Sequence, residues 1–151
     1  MKALIASSEV VPFAKTGGLA DVAGTLVNEL KKAGVDADII LPLYRRIKQS
    51  AKDWEIKPLN KEISVPLGNE IEKGMLWKGS TSEGAGAYFI ENDNFFDRDG
   101  LYGTPEGDYT DNASRFIFYS RGVIESVKAL GLNINIIHCN DWQTGLIHVF
   151  L

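Results

Sequence analysis

Apolar residues recur along the chain with two different periods, and the change between them lays out the elements. Lys2 to Ser7 opens with an unbroken apolar run, Ala3-Leu4-Ile5-Ala6, the pattern of a strand buried on both faces. Leu19, Val22, Ala23, Leu26, Val27 and Leu30 then follow at helical spacing and predict one apolar face. Lys31 and Lys32 fall in the last turn of this helix, at the negative end of its dipole, and Gly34 terminates it. Ala37 to Leu41 reads as a second buried strand, stopped by Pro42. Strand, loop, helix and strand in such close succession make a βαβ unit, with parallel strands and a right-handed crossover.

The middle of the chain is less regular. Residues 45–60 are polar and predict no more than a short helix. Ile63 to Leu67, Met75 to Ser80 and Ala87 to Ile90 read as strands between glycine-containing turns. The first two suit a hairpin through Gly68-Asn69, and the third suits a return to the main sheet. Residues 92–108 are polar, aromatic and glycine-rich without periodicity, which marks a long loop. Its aromatics, with Tyr109 just beyond, argue against disorder. Ala113, Phe116, Ile117, Val123, Ile124, Val127 and Leu130 predict a second long helix closed by Gly131. Ile134 to Ile137 reads as another buried strand, and Asp141 to Thr144 as a turn that starts a helix. The expected fold class is α/β, a mainly parallel sheet with flanking helices in one domain. The last residues, His148-Val149-Phe150-Leu151, carry no cap, glycine or polar tail, so the chain is expected to be cut from a longer one.

Composition narrows the function classes. The 151 residues suffice for one domain with a sizeable core, and 44% hydrophobic with 24% charged residues fits a soluble globular protein. The net charge of -4, with no basic run, argues against nucleic-acid or anionic-membrane partners. A lone cysteine, Cys139, excludes a disulfide framework and points to an intracellular protein. The apolar segment Ala3 to Ala6 is too short for a signal-peptide core or a membrane span, so the expected location is cytoplasmic.

Three segments carry candidate chemistry. Lys15-Thr16-Gly17-Gly18 leaves the first strand and opens a helix, where free backbone N–H groups and the helix dipole make an anion site. The two glycines allow close approach and Lys15 adds a mobile positive charge. The pattern is neither a dinucleotide fingerprint nor a P-loop. A tight turn with a surface lysine remains the alternative. Asp21, in the first helical turn, is either a dipole-favourable solvated acid or an acceptor for a sugar hydroxyl. His138 to Thr144 releases polar groups at a strand end, where ligands bind in open parallel sheets. There Asp141 offers to orient or deprotonate a hydroxyl, Trp142 offers a flat face and Gln143 paired hydrogen bonds. Alternatively, Asp141 caps the helix and Trp142 packs in the core. No ligand spacing for a metal is present, since His138 and Cys139 are adjacent with no second cluster. The third segment combines Asp97, Arg98, Tyr102, Tyr109, Asp111 and Asn112, a mixture suited either to carbohydrate or to a packed surface loop.

Taken together, Ser8-Glu9 through Pro12, Lys15-Thr16-Gly17-Gly18-Leu19-Ala20-Asp21-Val22, Phe96-Asp97-Arg98, Leu101-Tyr102-Gly103, Tyr109-Thr110-Asp111-Asn112, Arg115-Phe116 and Asp141-Trp142 form an ordered series. In order and spacing the series resembles the N-terminal part of bacterial glycogen synthases and plant starch synthases, along the whole chain. The resemblance implies a Rossmann-like domain, incomplete here, that faces a second, nucleotide-binding domain across a cleft in the GT-B arrangement. It implies transfer of glucose from ADP-glucose to the non-reducing end of an α-1,4-glucan with retention, with no cofactor beyond that substrate. Lys15, Gly17 and Gly18 would meet the donor phosphates, and Asp21 the transferred glucose. Asp141 is the candidate catalytic residue, with Tyr102, Trp142 and Gln143 on the acceptor side. Some relatives carry histidine at the positions of Asn140 and Gln143; Gln143 cannot titrate near neutrality. The fragment alone is expected to be inactive, and its unpaired apolar surface to favour self-association. Competing readings are a UDP-glucose-using GT-B transferase and a noncatalytic carbohydrate- or nucleotide-binding module. A dinucleotide oxidoreductase lacks the required glycine spacing.

Overall fold

The computed structural model describes residues 1–151. Its elements in order are β1 (Lys2–Ala6), α1 (Gly18–Lys32), β2 (Asp36–Pro42), α2 (Arg45–Gln49), β3 (Lys57–Leu67), β4 (Glu70–Ser80), β5 (Gly86–Glu91), α3 (Asp93–Phe96), β6 (Gly103–Thr104), β7 (Gly107–Asp108), α4 (Asn112–Ala129) and β8 (Ile136–Cys139). Two 3-10 turns follow, Trp142–Thr144 and Ile147–Val149.

Six strands form one sheet in the order β3-β4-β5-β2-β1-β8. β1 pairs in parallel with β2 and β8, and β2 with β5. The β3–β4 and β4–β5 pairs are antiparallel. The sheet is thus mainly parallel with an antiparallel extension, as an α/β fold requires. The predicted hairpin forms at Gly68, whose φ of +63° suits glycine. β4 then runs along β5 from Met75 opposite Glu91 to Ser80 opposite Gly86, so the hairpin joins the main sheet. β3 starts six residues earlier than its apolar core indicates and is irregular between Pro58 and Glu62.

The helices differ from their sequence reading in which faces they bury. In α1 the buried stripe is Ala20, Ala23, Gly24 and Val27, while Val22, assigned to the inner face, is 61% exposed. The small residues permit a close approach: a Cβ on Gly24 would stand 2.5 Å from Val11 Cγ2. α4 lies across β3 and also reaches β2, β4 and β5. It buries Arg115, Tyr119, Ser120 and Ser126 besides its apolar residues, whereas Ala113, expected inside, is exposed. These polar groups escape an apolar-periodicity reading because their bonds are made inside. The Tyr119 hydroxyl lies 3.0 Å from the Ser7 carbonyl and 2.7 Å from that of Ile40, and Ser126 Oγ donates to Gly122. The segment 92–108, read as a loop, contains α3 and the small β6–β7 hairpin. Asn92 caps α3 by accepting from the Phe95 amide at 3.0 Å.

β8 is displaced from the predicted Ile134–Ile137 and is not buried. It is the edge strand of the sheet, and Ile136 is 46% exposed. An apolar groove of about 320 Å³ runs beside it, lined among others by Ile124, Val127, Ile134, Ile136 and Leu151. No helix is long and apolar enough to cross a membrane.

Candidate active site

Because β1 and β8 pair with Ala6 opposite Cys139, the segments that follow them emerge side by side from the carboxyl ends of the strands. Asn140 ties the two exits together, donating its backbone N–H and its side-chain Nδ2 to the Ala6 carbonyl at 3.1 and 2.9 Å. The segment after β1 is anchored by buried Val10, Phe13 and Ala14. Phe13 meets Trp54 and Phe89 edge-on, with centroids 5.4 and 5.1 Å away. Beyond that anchor, Lys15 to Gly18 lies exposed as a shelf at the start of α1.

Gly17 is the N-cap of α1, in extended backbone with no side-chain cap. A Cβ at Gly17 or Gly18 would have nothing within 4 Å, so neither packing nor a left-handed backbone demands glycine there. The first-turn amides of Gly18 and Leu19 have no partner in the chain and point out with the positive end of the helix dipole. The shelf differs from the sequence expectation at two points. The amides of Thr16 and Gly17 are not free, because both donate to Glu9 Oε2, Gly17 at 3.2 Å. Lys15 is not an unattached cation: its Nζ lies 2.7 Å from each carboxylate oxygen of Asp21, with both side chains about half exposed.

Glu9 was not singled out as a site residue. Its residue is almost fully buried, and its Oε1 accepts from Thr16 Oγ1 and from the Tyr102 hydroxyl, each at 2.7 Å. Burial alone would raise this carboxyl's pKa. The hydrogen bonds from Thr16, Tyr102 and Gly17 outweigh burial and hold it below the usual carboxylate range. Tyr102, expected toward the acceptor, turns its hydroxyl inward onto Glu9 and within 2.7 Å of Ser8 Oγ. Burial and the Glu9 carboxylate push its phenol well above the ordinary value. Its ring stands 5.8 Å from Phe116 and 6.3 Å from Trp142.

The turn after β8 separates three neighbouring residues. Trp142 is 54% exposed, rests edge-on against Phe116 at 5.0 Å, and leaves much of its surface open. Asp141 is exposed, has φ of +62°, and accepts from the Trp142 amide at 2.7 Å. Both the capping and the ligand-facing readings of Asp141 are thus compatible with one geometry, since its second oxygen has no partner in the chain. Gln143 points inward, only 3% exposed, and its Oε1 is buried without a partner. It does not face the shelf, because the tight 3-10 turn rotates it away from Trp142.

The long polar and aromatic segment is organised from within. Arg115, fully buried on α4, donates to the carbonyls of Phe95 and Leu101 at 2.8 and 2.9 Å and to Asn112 Oδ1 at 2.6 Å. Its guanidinium lies 5.0 to 5.5 Å from the rings of Tyr109, Phe116 and Phe96. Arg98 forks onto Asp111 at 2.7 and 2.6 Å and covers Tyr109. Arg45 takes Asp97 at 2.7 Å, and Asn112 donates to the Tyr102 carbonyl at 2.8 Å. The polar residues read as possible sugar ligands are therefore spent holding the segment, which in turn presents Tyr102. The signal for Arg115 was an arginine on the inner face of a helix, beside Phe116.

Residues 2–151 match the family model described as the starch synthase catalytic domain. The chain is 48% identical to a glycogen synthase of Syntrophotalea carbinolica and 44% identical to one of Geotalea daltonii, each over 151 residues. Both alignments cover 100% of this chain and 31% of the relative, so the chain spans about a third of the length of the curated relatives it matches. Among solved structures, it is similar to the catalytic domain of starch synthase IV from Arabidopsis thaliana bound to ADP and acarbose. That match has a TM-score of 0.79 and 29% identity, and covers 97% of this chain and 29% of the other.

Proposed function

The chain belongs to the starch synthase catalytic domain family, and on that premise we propose that it is the N-terminal, donor-phosphate side of a glycogen synthase. The whole enzyme would transfer glucose from ADP-glucose to the non-reducing end of an α-1,4-glucan with retention, in the cytoplasm. The observation that carries this reading is the shelf at Lys15 to Gly18. Unpartnered helix amides, open space over two glycines and a lysine converge there, and Glu9, which holds Thr16 and Gly17, also takes the hydroxyl of Tyr102, whose ring stands 6.3 Å from that of exposed Trp142. The ADP and acarbose bound by the Arabidopsis relative support a nucleotide and a carbohydrate as the two ligands.

Retaining transfer proceeds through a sugar of oxocarbenium character, while negative charge develops on the departing diphosphate. Lys15 and the amides of Gly18 and Leu19 stabilise that charge more in the transition state than in the ground state. Asp21 exchanges Lys15 for a hydroxyl of the transferred glucose when the donor arrives. Trp142 supplies the stacking face for the glucan, and Asp141 orients a hydroxyl with the carboxylate oxygen that the turn leaves free. Tyr102 supports this side through its ring, and Gln143 packs inside, beneath the turn that carries Trp142. A second domain supplies the remaining contacts to the nucleotide, so residues 1–151 alone elongate no glucan. The β8 edge and its apolar groove make a partner surface, through which the isolated chain self-associates.

Kinetics of the full-length protein carrying Lys15→Ala test the assignment. The expected result is a fall in kcat/KM for ADP-glucose of about 10²-fold or more. Unchanged kinetics would overturn it.

A further inference from the structure

We propose that Glu9 is a positioning residue that joins the donor side of the site to the acceptor side and sets how tightly the diphosphate is held. The inference rests on the reading of the Lys15 loop as the donor-phosphate site. Glu9 stands three residues beyond the carboxyl end of β1, nearly buried, with its backbone carbonyl accepting from Ser7 Oγ at 2.7 Å. One carboxylate oxygen takes the amides of Thr16 and Gly17; the other takes Thr16 Oγ1 and the Tyr102 hydroxyl, which lies 93 residues away in sequence. Four donors fill this carboxylate, so it acts on the ligands through the groups it holds.

Two consequences follow from that arrangement. With the amides of Thr16 and Gly17 occupied, the first amides open to a phosphate are those of Gly18 and Leu19. Glu9 therefore fixes where the diphosphate seats along the start of α1, and through Tyr102 it fixes the aromatic segment relative to that seat. The second consequence is electrostatic. A buried negative charge beneath the shelf opposes the diphosphate, and Lys15 offsets that repulsion. ADP is thereby held loosely enough to leave after transfer.

Shape and charge separate in the variant Glu9→Gln. Its carbonyl oxygen accepts from the two backbone amides. Its NH₂ donates to Thr16 Oγ1 and Tyr102 Oη, because both hydroxyls can reverse and accept. Connectivity survives while the charge is lost. Glu9→Ala loses both.

The test is ADP titration calorimetry, with steady-state kinetics on ADP-glucose and a maltooligosaccharide, in the full-length protein and its Glu9→Gln, Glu9→Ala and Lys15→Ala variants. Glu9→Gln is expected to bind ADP about threefold or more tighter than the parent, at low ionic strength. Glu9→Ala is expected to lose about tenfold or more in kcat, with the KM of both substrates raised, and Glu9→Gln to recover most of that loss. Equal or weaker ADP binding by Glu9→Gln overturns the proposal, and this readout stands even where Glu9→Ala fails to fold. Failure of the underlying reading looks different: ADP binding that is absent in the parent or indifferent to Lys15→Ala removes the donor site itself, and the role of Glu9 with it.

Discussion

Lys15 Nζ sits 2.7 Å from both carboxylate oxygens of Asp21, so the cation on the candidate phosphate shelf is already held by an acid from the first turn of the helix that follows. On the proposed function, an incoming phosphate would compete with Asp21 for that ammonium. Asp21→Asn releases Lys15 and, on the proposed function, is expected to tighten ADP binding several-fold while lowering kcat, since the acid would no longer meet the transferred sugar. Both partners are about half exposed, and such pairs contribute about 0–1 kcal/mol. Thermal unfolding of the variant should accordingly move little. Weaker ADP binding by Asp21→Asn would count against the competition.

Arg115 is the keystone of the aromatic segment, and its loss should be costly. Arg115→Ala strands the buried carbonyls of Phe95 and Leu101 and opens a cavity among three rings. Orphaned buried acceptors cost about 1–3 kcal/mol each, so denaturant unfolding should report a loss of about 3 kcal/mol. Arg115→Lys should recover little, because a single ammonium does not reproduce the planar fork. A loss under about 1 kcal/mol would show that the segment holds itself together.

Gly24 offers a test of sign. In a free helix Gly→Ala stabilises by about 1 kcal/mol. Here the new methyl group would meet Val11 Cγ2 at 2.5 Å and the Val11 carbonyl oxygen at 3.2 Å. Overpacking of about 1–3 kcal/mol outweighs the propensity gain, and Gly24→Ala is expected to destabilise. A raised melting temperature would refute the close packing of α1 against the segment before Lys15.

Asp111 links stability to pH. Its hydrogen bonds to Arg98 hold its pKa below the ordinary aspartate value. A depressed folded-state pKa adds stability that is complete above the unfolded value of about 4 and disappears as pH falls through the folded one. Unfolding free energy measured from about pH 5 downward should therefore fall less steeply in Asp111→Asn than in the parent. Parallel curves would exclude Asp111 as a source of the acid sensitivity.

The parts of the fold that were legible share a physical cause. β1, α1 and β2 were readable because strands buried on both faces are unbroken apolar runs, and a helix between them must lie back on the sheet. The same reasoning misplaced β8. An apolar run looks alike whether its flanks are covered or open, and Ile136 lies at an edge. Val22 and Ala113 lie outside because α1 buries a stripe of small residues, Ala20, Ala23 and Gly24, with Val27, and α4 buries polar groups as well as apolar ones.

At the site, the residue types were legible and their directions were not. Lys15 and Asp21 lie on the segment that follows β1, and Asp141 and Trp142 on the one that follows β8, the strand paired beside it. Whether Gln143 or Trp142 points outward depends on the rotation of one short turn, which composition does not encode. Glu9 belongs to the ordered series but carries no role in it, because an acid in a loop ordinarily faces water. Its partners are Thr16, Gly17 and a tyrosine brought in by a different segment.

The open space above Gly17 and Gly18 bears on how substitutions would be tolerated. Nothing in the chain opposes a methyl group at either position, and neither backbone is left-handed. A library of variants sorted for folding alone should therefore accept alanine at both, while one of the full-length protein sorted for the proposed glucose transfer should reject it. Those two positions are where a stability screen and an activity screen would part company, and the gap between them measures what the ligand, and not the fold, asks of this chain.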